Sequence, residues 1–293
     1  IQGRSELLHL IKTCGRLKDV EEARRFHADL CHHLHLHKPW FAKDICMNNA
    51  LISMYAKCGG LREAQDLFDE LPVRNVISWT ALISGYAQSG FHDEALRFFK
   101  QMQNEGIAPN AVTFTCVLKA CSAIGSLTTG EEIHAEISKT GLLFLDKGIV
   151  LGTALVDMYA KCGMMTKARE VFFNELPIRN VVCWTALVSG YARHGCGNEA
   201  LKCYMHMRDI DGICPDAITY VCILKACSSI GALEFGERIH HEVRKQGLIG
   251  TNVFISTALM DMYAKCGKLD KSQELFDEGI LKRNVVSWNV LIS

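Results

Sequence analysis

The 293-residue sequence has no excess of either charge, because 32 Lys and Arg are balanced by 32 Asp and Glu. That excludes a generic polyanion binder, whose affinity rests on surplus cations neutralising phosphates, but not a ligand read through its base edges. No apolar run approaches membrane-spanning length. A phosphate-binding loop, a nucleophile elbow, a paired-carboxylate site and Cys-x-x-Cys are all missing. His-x-Glu occurs at His134-Ala-Glu136 and His240-His-Glu242. A zinc deaminase would also need Pro-Cys-x-x-Cys for its remaining ligands. Both matches fall 13 residues after Cys121 and Cys227, and His27-Ala-Asp29 stands at the same distance from Cys14. A catalytic motif would not recur at one place in a repeat, so these histidines read as structural. The cluster His32, His33, His35 and His37 has no cysteine spacing around it and is weak evidence for a metal. No catalytic residue, cofactor, metal or small-molecule substrate is expected.

What is present is repetition. Met-Tyr-Ala-Lys-Cys-Gly stands at 54–59, 158–163 and 262–267, each copy 104 residues after the one before. Trp-centred segments at 76–80, 181–185 and 285–289 keep step with it. So do Leu-Ile-Lys-Thr-Cys at 10–14, Val-Leu-Lys-Ala-Cys at 117–121 and Ile-Leu-Lys-Ala-Cys at 223–227. A three-part superperiod of this kind means an array in which each unit buries its apolar face against its neighbours. The 14 cysteines fall largely at repeat-equivalent places, including Cys14, Cys121 and Cys227, and Cys58, Cys162 and Cys266. That pattern reads as small buried apolar residues in a reducing compartment.

Within residues 76–110, Trp79, Leu82, Ile83, Tyr86 and Ala87 form one helical stripe. Ser89-Gly90 ends that helix. A second stripe runs through Ala95, Phe98, Phe99 and Met102 until Gly106 stops it. The unit is thus two antiparallel helices. Residues 181–216 repeat it with one extra residue near Asp209. The Met-Tyr-Ala units cover 45–75, 149–180 and 253–284, the last two one residue longer than the first. The Leu-Lys-Ala-Cys units cover 111–148 and 217–252, with a partial copy at 4–44 and a truncated Trp-type unit at 285–293. The chain begins without Met and stops inside a unit, as expected of a piece of a longer protein.

Tetratricopeptide units share the Trp, Leu, Tyr, Ala and Phe pattern but want Gly at the eighth position, where Ile83 and Val188 stand. They also lack a recurring Asn or Asp in the loop between repeats. Val-Ser-Trp-Asn, Ala-Leu-Ile-Ser-Gly-Tyr-Ala and Met-Tyr-Ala-Lys-Cys-Gly instead resemble the pentatricopeptide repeat family of plant organelles across essentially the whole chain. The unequal unit lengths resemble its P-L-S subclass, with L-type units at 4–44, 111–148 and 217–252, S-type at 45–75, 149–180 and 253–284, and P-type at 76–110, 181–216 and 285–293. The resemblance implies an all-α, right-handed superhelical solenoid of helix-turn-helix repeats that runs through the chain as a single array.

It also implies single-stranded RNA as partner, read at about one base per repeat by two or three side chains. In the family these are the fifth residue of a unit and its last. The pairs are Asn49/Asn75, Thr80/Asn110, Thr115/Asp146, Thr153/Asn180, Thr185/Asp216, Val221/Asn252 and Thr257/Asn284, and Asn289 opens a pair whose partner is absent. An ionised Asp only accepts hydrogen bonds and so suits the N–H donors of guanine or uracil, whereas an Asn amide both donates and accepts, as adenine and cytosine require. By resemblance the order is 5′-Y-A-N-A-G-N-A-3′. Val221 cannot hydrogen-bond through its side chain, which departs from the family pattern. The second residues Ile77, Val112, Val150, Val182, Ile218 and Phe254, along with Cys46 and Val286, are implied to clamp the bases, although apolar packing at a helix start explains them as well. Lys57, Lys161, Lys265 and Arg193 at the thirteenth position lie near the same helix face as the fifth and would meet phosphates.

The expected function is therefore the targeting of an organellar RNA-processing factor, in mitochondrion or chloroplast. C-to-U editing is the leading case, with any deaminase outside this chain and accessory editing proteins as further partners. The alternative is a tetratricopeptide-like scaffold for a peptide.

Overall fold

The computed structural model describes residues 2–35, 44–145 and 148–279, and the described elements are helical. Two units, residues 1–142 and 143–293, are each described by themselves. In the first, helical hairpins follow one another as α1 (Gln2–Leu17) with α2 (Val20–His35), α3 (Ile45–Cys58) with α4 (Leu61–Asp69), α5 (Val76–Gln88) with α6 (His92–Asn104), and α7 (Ala111–Ile124) with α8 (Leu127–Thr140). In the second they are α9 (Gly148–Lys161) with α10 (Met165–Glu170), α11 (Val181–Arg193) with α12 (Gly197–Met205), α13 (Ala217–Ile230) with α14 (Leu233–Lys245), and α15 (Val253–Lys265) with α16 (Leu269–Gly279). Among the described residues no helix is long and apolar enough to cross a membrane.

The predicted stripes become the core. Trp79, Leu82 and Ile83 of α5 are buried, as are Ala95, Phe98, Phe99 and Met102 of α6. Trp79 meets Phe68 of α4 edge to face at 4.6 Å between ring centres, and its indole N–H donates to Glu105 Oε2 at 3.3 Å. Trp184 repeats both contacts, with Phe172 at 4.5 Å and Asp211 Oδ2 at 3.0 Å. An amphipathic indole is thereby buried with its one donor satisfied. Gly90 and Gly106, with φ of 86° and 72°, turn the chain after α5 and α6 where a side chain would be strained.

First helices stack on first helices. In one unit α3 packs between α1 and α5, and α5 between α3 and α7; in the other α11 packs between α9 and α13, and α13 between α11 and α15. Second helices join the next hairpin, as α4 does with α5 and α12 with α13. Close approach is possible because small residues meet. A Cβ added at Gly85 of α5 would lie 2.5 Å from Ala56 Cβ of α3, and one at Gly190 of α11 would lie 2.7 Å from Ala160 Cβ of α9.

Two of the three extra residues seen in the sequence have a physical fate. α10 and α12 pass into π-helical turns, Val171–Glu175 and His206–Ile210, which absorb one residue each without breaking the hairpin. The uninterrupted α4 belongs to the shorter unit that has no insertion. The thirteen cysteines whose side chains are described are free thiols. Cys14, Cys121 and Cys227 are buried as expected, whereas Cys58, Cys162 and Cys266 are only half-buried because they end their helices. Burial pushes the Cys203 and Cys227 thiols up to about 12, so neither is a ready nucleophile.

Gly85→Ala should force α3 and α5 apart at a contact with no slack. We expect a loss of about 1–3 kcal/mol in urea unfolding with helical content in native buffer unchanged, by analogy with overpacking of a tight core. An unaltered midpoint would show that the helices yield freely there.

Candidate nucleic-acid interface

Every described first helix from α3 onward, apart from α9, begins on an Asn or Asp that caps it. Asp44, Asn75, Asn110, Asn180, Asp216 and Asn252 have extended backbone, and their side-chain oxygens accept hydrogen bonds from the helix's own first-turn N–H groups. Asn110 Oδ1 accepts from Val112 N and Thr113 N, both at 2.9 Å. Asp216 Oδ1 accepts from Thr219 N at 2.8 Å. Five of these six are the last residues that sequence analysis paired with a fifth residue, and turn chemistry and candidate readout therefore share one side chain.

The cap decides what remains. An Asn that turns Oδ1 towards helix N–H groups must turn Nδ2 the other way, and Nδ2 of Asn75, Asn110, Asn180 and Asn252 has no partner among the described residues. It presents donors only. An Asp in the same pose leaves Oδ2, an acceptor only, and Asp216 Oδ2 is likewise without a described partner.

The fifth residues sit one helical turn into the same helices. Thr80, Thr115, Thr153, Thr185 and Thr257 each donate to the carbonyl four residues back, between 2.6 and 2.8 Å. Thr80 Oγ1 also lies 2.7 Å from Thr113 Oγ1, and Thr185 Oγ1 lies 2.6 Å from Thr219 Oγ1. A hydroxyl has one proton, and all these partners are inside the protein, so the threonines offer outward lone pairs. Asn49 is nearly buried and donates from Nδ2 to Asn75 Oδ1 at 3.3 Å, while its own Oδ1 is buried without a partner. Val221 is half-buried, and Asn252 caps α15.

The apolar second residues are not core. Ile77, Val112, Val150, Val182, Ile218 and Phe254 are between 43% and 78% exposed, all but Val150 just after a capping residue. Cys46 is exposed too. Packing at a helix start, the competing explanation in the sequence, does not describe these side chains.

The thirteenth residues divide. Lys161 Nζ bonds Asp157 Oδ2 at 2.7 Å, and Lys265 pairs with Asp261 at 2.9 Å one turn back. Lys57 and Arg193 are exposed and form no ion pair among the described residues. Sequence reading passed over Asp157 and Asp261, although their i, i+4 spacing from Lys was the available signal. Asp146, Asn284, Asn289 and Val286 lie outside the described residues, as does His37.

The model described as "PPR repeat family" matches residues 74–123 and 179–229, and the one described as "PPR repeat" matches 49–76, 153–174 and 254–282. A putative pentatricopeptide repeat-containing protein of Arabidopsis thaliana is 37% identical over 291 residues, covering 98% of this chain and 50% of its own length. Another from that plant, named as mitochondrial, is 38% identical over 286 residues, covering 97% of this chain and 43% of its own length. A third, named as chloroplastic, is 34% identical over 283 residues, with coverage of 97% and 44%. The chain belongs to the pentatricopeptide repeat family. It spans about half the length of the curated relatives it matches. Among solved structures, pentatricopeptide repeat protein PPR10 in complex with an 18-nt psaJ RNA element superposes with a TM-score of 0.72 at 18% identity, covering 93% of this chain and 39% of that one. PPR10 from maize gives 0.64 at 21%, covering 98% and 41%. These likenesses show the fold.

His27 and His240 serve the pentatricopeptide packing. His27 Nδ1 lies 2.9 Å from the Tyr55 hydroxyl and His240 Nδ1 lies 2.7 Å from that of Tyr263, each ring edge-on to its tyrosine. Glu242 takes the hydroxyls of Tyr220 and Tyr204 at 2.9 and 3.2 Å and Arg208 at 2.9 Å. Among the described residues no cluster of His, Cys, Asp and Glu could hold a metal ion.

Burial holds His27 below its ordinary value of 6.5, with Glu70 opposing weakly. Below 6.5 the unfolded chain therefore takes up a proton that the folded chain resists. Stability should be full above that value and fall as pH drops beneath it towards the folded-state value. Urea midpoints of wild type and His27→Gln at about pH 7.5 and about pH 5.5 check this, because the variant should lose part of the decline.

Proposed function

We propose that this chain is the sequence-reading part of a P-L-S-type organellar RNA-processing factor, most concretely one directing C-to-U editing. It binds single-stranded RNA at one base per repeat, in the order 5′-Y-A-N-A-G-N-A-3′. The observation that carries the reading is the fixed polarity of the capped side chains beside exposed apolar residues. At Thr80/Asn110, an outward lone pair and an outward amide donor complement the N6 donor and N1 acceptor of adenine. Thr185/Asp216 instead offers two acceptors, which complement the N1–H and N2–H₂ donors of guanine. Thr153/Asn180 repeats the adenine arrangement, and Thr257 begins another whose partner Asn284 is assigned from sequence.

Asn49/Asn75 takes the pyrimidine. A base N–H would supply the partner that Asn49 Oδ1 lacks, relieving a buried unpaired acceptor worth about 1–3 kcal/mol. Exposed Ile77, Val112, Val150, Val182, Ile218 and Phe254 sandwich the bases, since apolar side chains left in water at regular intervals gain from covering a base face. Thr115/Asp146 and Val221/Asn252 leave their nucleotides unread, and those L-type units suit an accessory editing protein. Lys57 and Arg193 meet phosphates in preference to Lys161 and Lys265, which already hold carboxylates. PPR10 bound to RNA with this fold, and relatives named as mitochondrial or chloroplastic, support RNA as partner and an organelle as location. In this role the chain binds and does not catalyse. Deamination falls to a domain or partner outside it.

The test is binding at one fixed salt concentration to 5′-CAUAGUA-3′ in a neutral flank, against the same RNA with A and G exchanged at the fourth and fifth positions. A preference of about tenfold or more for the first, or about 1.4 kcal/mol, is expected. Asp216→Asn should then move the fifth position from G towards A at a cost of about 1–3 kcal/mol for the wrong base, with thermal stability unchanged because Asn and Asp cap equally well. Equal weak binding of both RNAs would overturn base reading and direct attention to a peptide or protein in the groove.

A further inference from the structure

One set of polar side chains has no part in the reading above. The third residue of a first helix faces back towards the cap that precedes it, and in four junctions it is Ser78, Thr113, Cys183 or Thr219, all with no exposed surface. Thr113 Oγ1 donates to Asn110 Oδ1 at 3.1 Å while lying 2.7 Å from Thr80 Oγ1. Thr219 Oγ1 donates to Asp216 Oδ1 at 2.8 Å while lying 2.6 Å from Thr185 Oγ1. The fifth and last residues of a unit, far apart in sequence, are thus joined through one buried hydroxyl of the next unit. Ser78 serves the same cap differently: its Oγ accepts from Asn75 N and donates to Asn75 O, both at 2.8 Å, as Asn75 takes Asn49 directly.

The other two junctions are built otherwise. After Asp44 and Asn252 the third residues are Met47 and Ile255, fully buried and unable to bond either partner. Both follow L-type units, in one of which Val221 already lacks a side-chain hydrogen bond. Cys183 is an intermediate case. Its Sγ lies 2.7 Å from Thr153 Oγ1, but Asn180 accepts only from the Cys183 N–H, at 3.0 Å, and a thiol is a weak donor.

We propose that the third residue of the following unit is a positioning residue for base discrimination: a hydroxyl there locks the fifth and last residues into one hydrogen-bond network, and its absence loosens the readout. This rests on the RNA-reading function proposed above. The mechanism is proton bookkeeping: the buried hydroxyl gives its own proton to the cap and accepts from the fifth residue. That residue's proton, shared with the carbonyl one turn back, stays inside while its lone pairs stay outward, and a buried network of this kind holds one arrangement. The chain contains its own comparison. Thr80/Asn110 and Thr153/Asn180 carry the same readout pair with Thr113 in one case and Cys183 in the other, so the second nucleotide should be read more strictly than the fourth.

The experiment uses the full chain and 5′-CAUAGUA-3′ with A replaced by G singly at the second or fourth nucleotide, comparing wild type, Thr113→Val, Thr113→Ser and Cys183→Thr. Thr113→Val should cut discrimination at the second nucleotide by about threefold or more, the scale of one hydrogen bond, and Thr113→Ser should restore it. The fifth nucleotide should be unaffected. Cys183→Thr should raise discrimination at the fourth by a similar factor, a gain that a merely structural role would not produce. A Val variant that unfolds leaves Cys183→Thr to decide. Wild-type discrimination with unchanged ratios in every folded variant overturns the positioning role alone. A wild type that discriminates nowhere overturns the base reading on which it rests.

Discussion

The arrangement depends on the hydrogen bonds between a capping oxygen and the first-turn N–H groups of a helix. Those N–H groups have no intrahelical partner, and a cap recovers about 0.5–2 kcal/mol at each helix. Here the cap is also the last residue of the preceding unit, so one side chain ends a repeat and starts another. A residue constrained this way cannot swing freely. Its second polar atom has a fixed chemical sign, donor for Asn and acceptor for Asp. Stability and candidate recognition therefore reside in different atoms of one group, so Asn can replace Asp without disturbing the helix.

Keeping those atoms in register makes demands on packing. First helices lie close enough that Gly85 faces Ala56 and Gly190 faces Ala160 with no room for a methyl group. The caps of successive first helices are thereby held in series within each unit. Two insertions are taken up away from that layer, in the π-helical turns after α10 and α12, so that Asn180 and Asp216 still begin their helices. An extra residue placed in a first helix would rotate everything beyond it by about 100°, turning a fifth residue away from its cap.

Much of the fold was legible because its cause is local. Apolar residues at helical spacing and Gly at the stops marked α5 and α6, and the recurring phrases showed that the same hairpin would be built repeatedly. The length differences were visible, but not that π-helical turns would absorb them, since several loop lengths would have served. Candidate readout positions came from resemblance, and their hydrogen-bonding state was out of reach. It depends on contacts such as Thr80 with Thr113 and Thr185 with Thr219, about one repeat apart, whose geometry no single window contains. Exposure of the second residues was equally hidden, since Ile77 and Val182 look like core until the helix's orientation is known. The pairs Asp157–Lys161 and Asp261–Lys265 were readable from spacing alone, and attention to the lysines obscured them.

Charge balance fits a surface that discriminates more than it attracts. A strongly basic groove would hold any RNA through counterion release, and each added cation would raise wrong and right sequences together. Pairing Lys161 and Lys265 with aspartates one turn away removes part of that indiscriminate attraction, and Lys57 and Arg193 remain to set a modest background. What is left, on the proposed reading, is differential: outward donors and acceptors that would lose their water and find no substitute when the wrong base arrives. Buried or half-buried polar groups left unpaired cost more than paired ones gain. On the proposed reading the second residues would sharpen this, since exposed Ile, Val and Phe would exclude water around each base and raise the penalty for a mismatch. Half-burial of the capping residues is thus the condition under which, in the proposed readout, two acceptors in place of an acceptor and a donor would distinguish guanine from adenine.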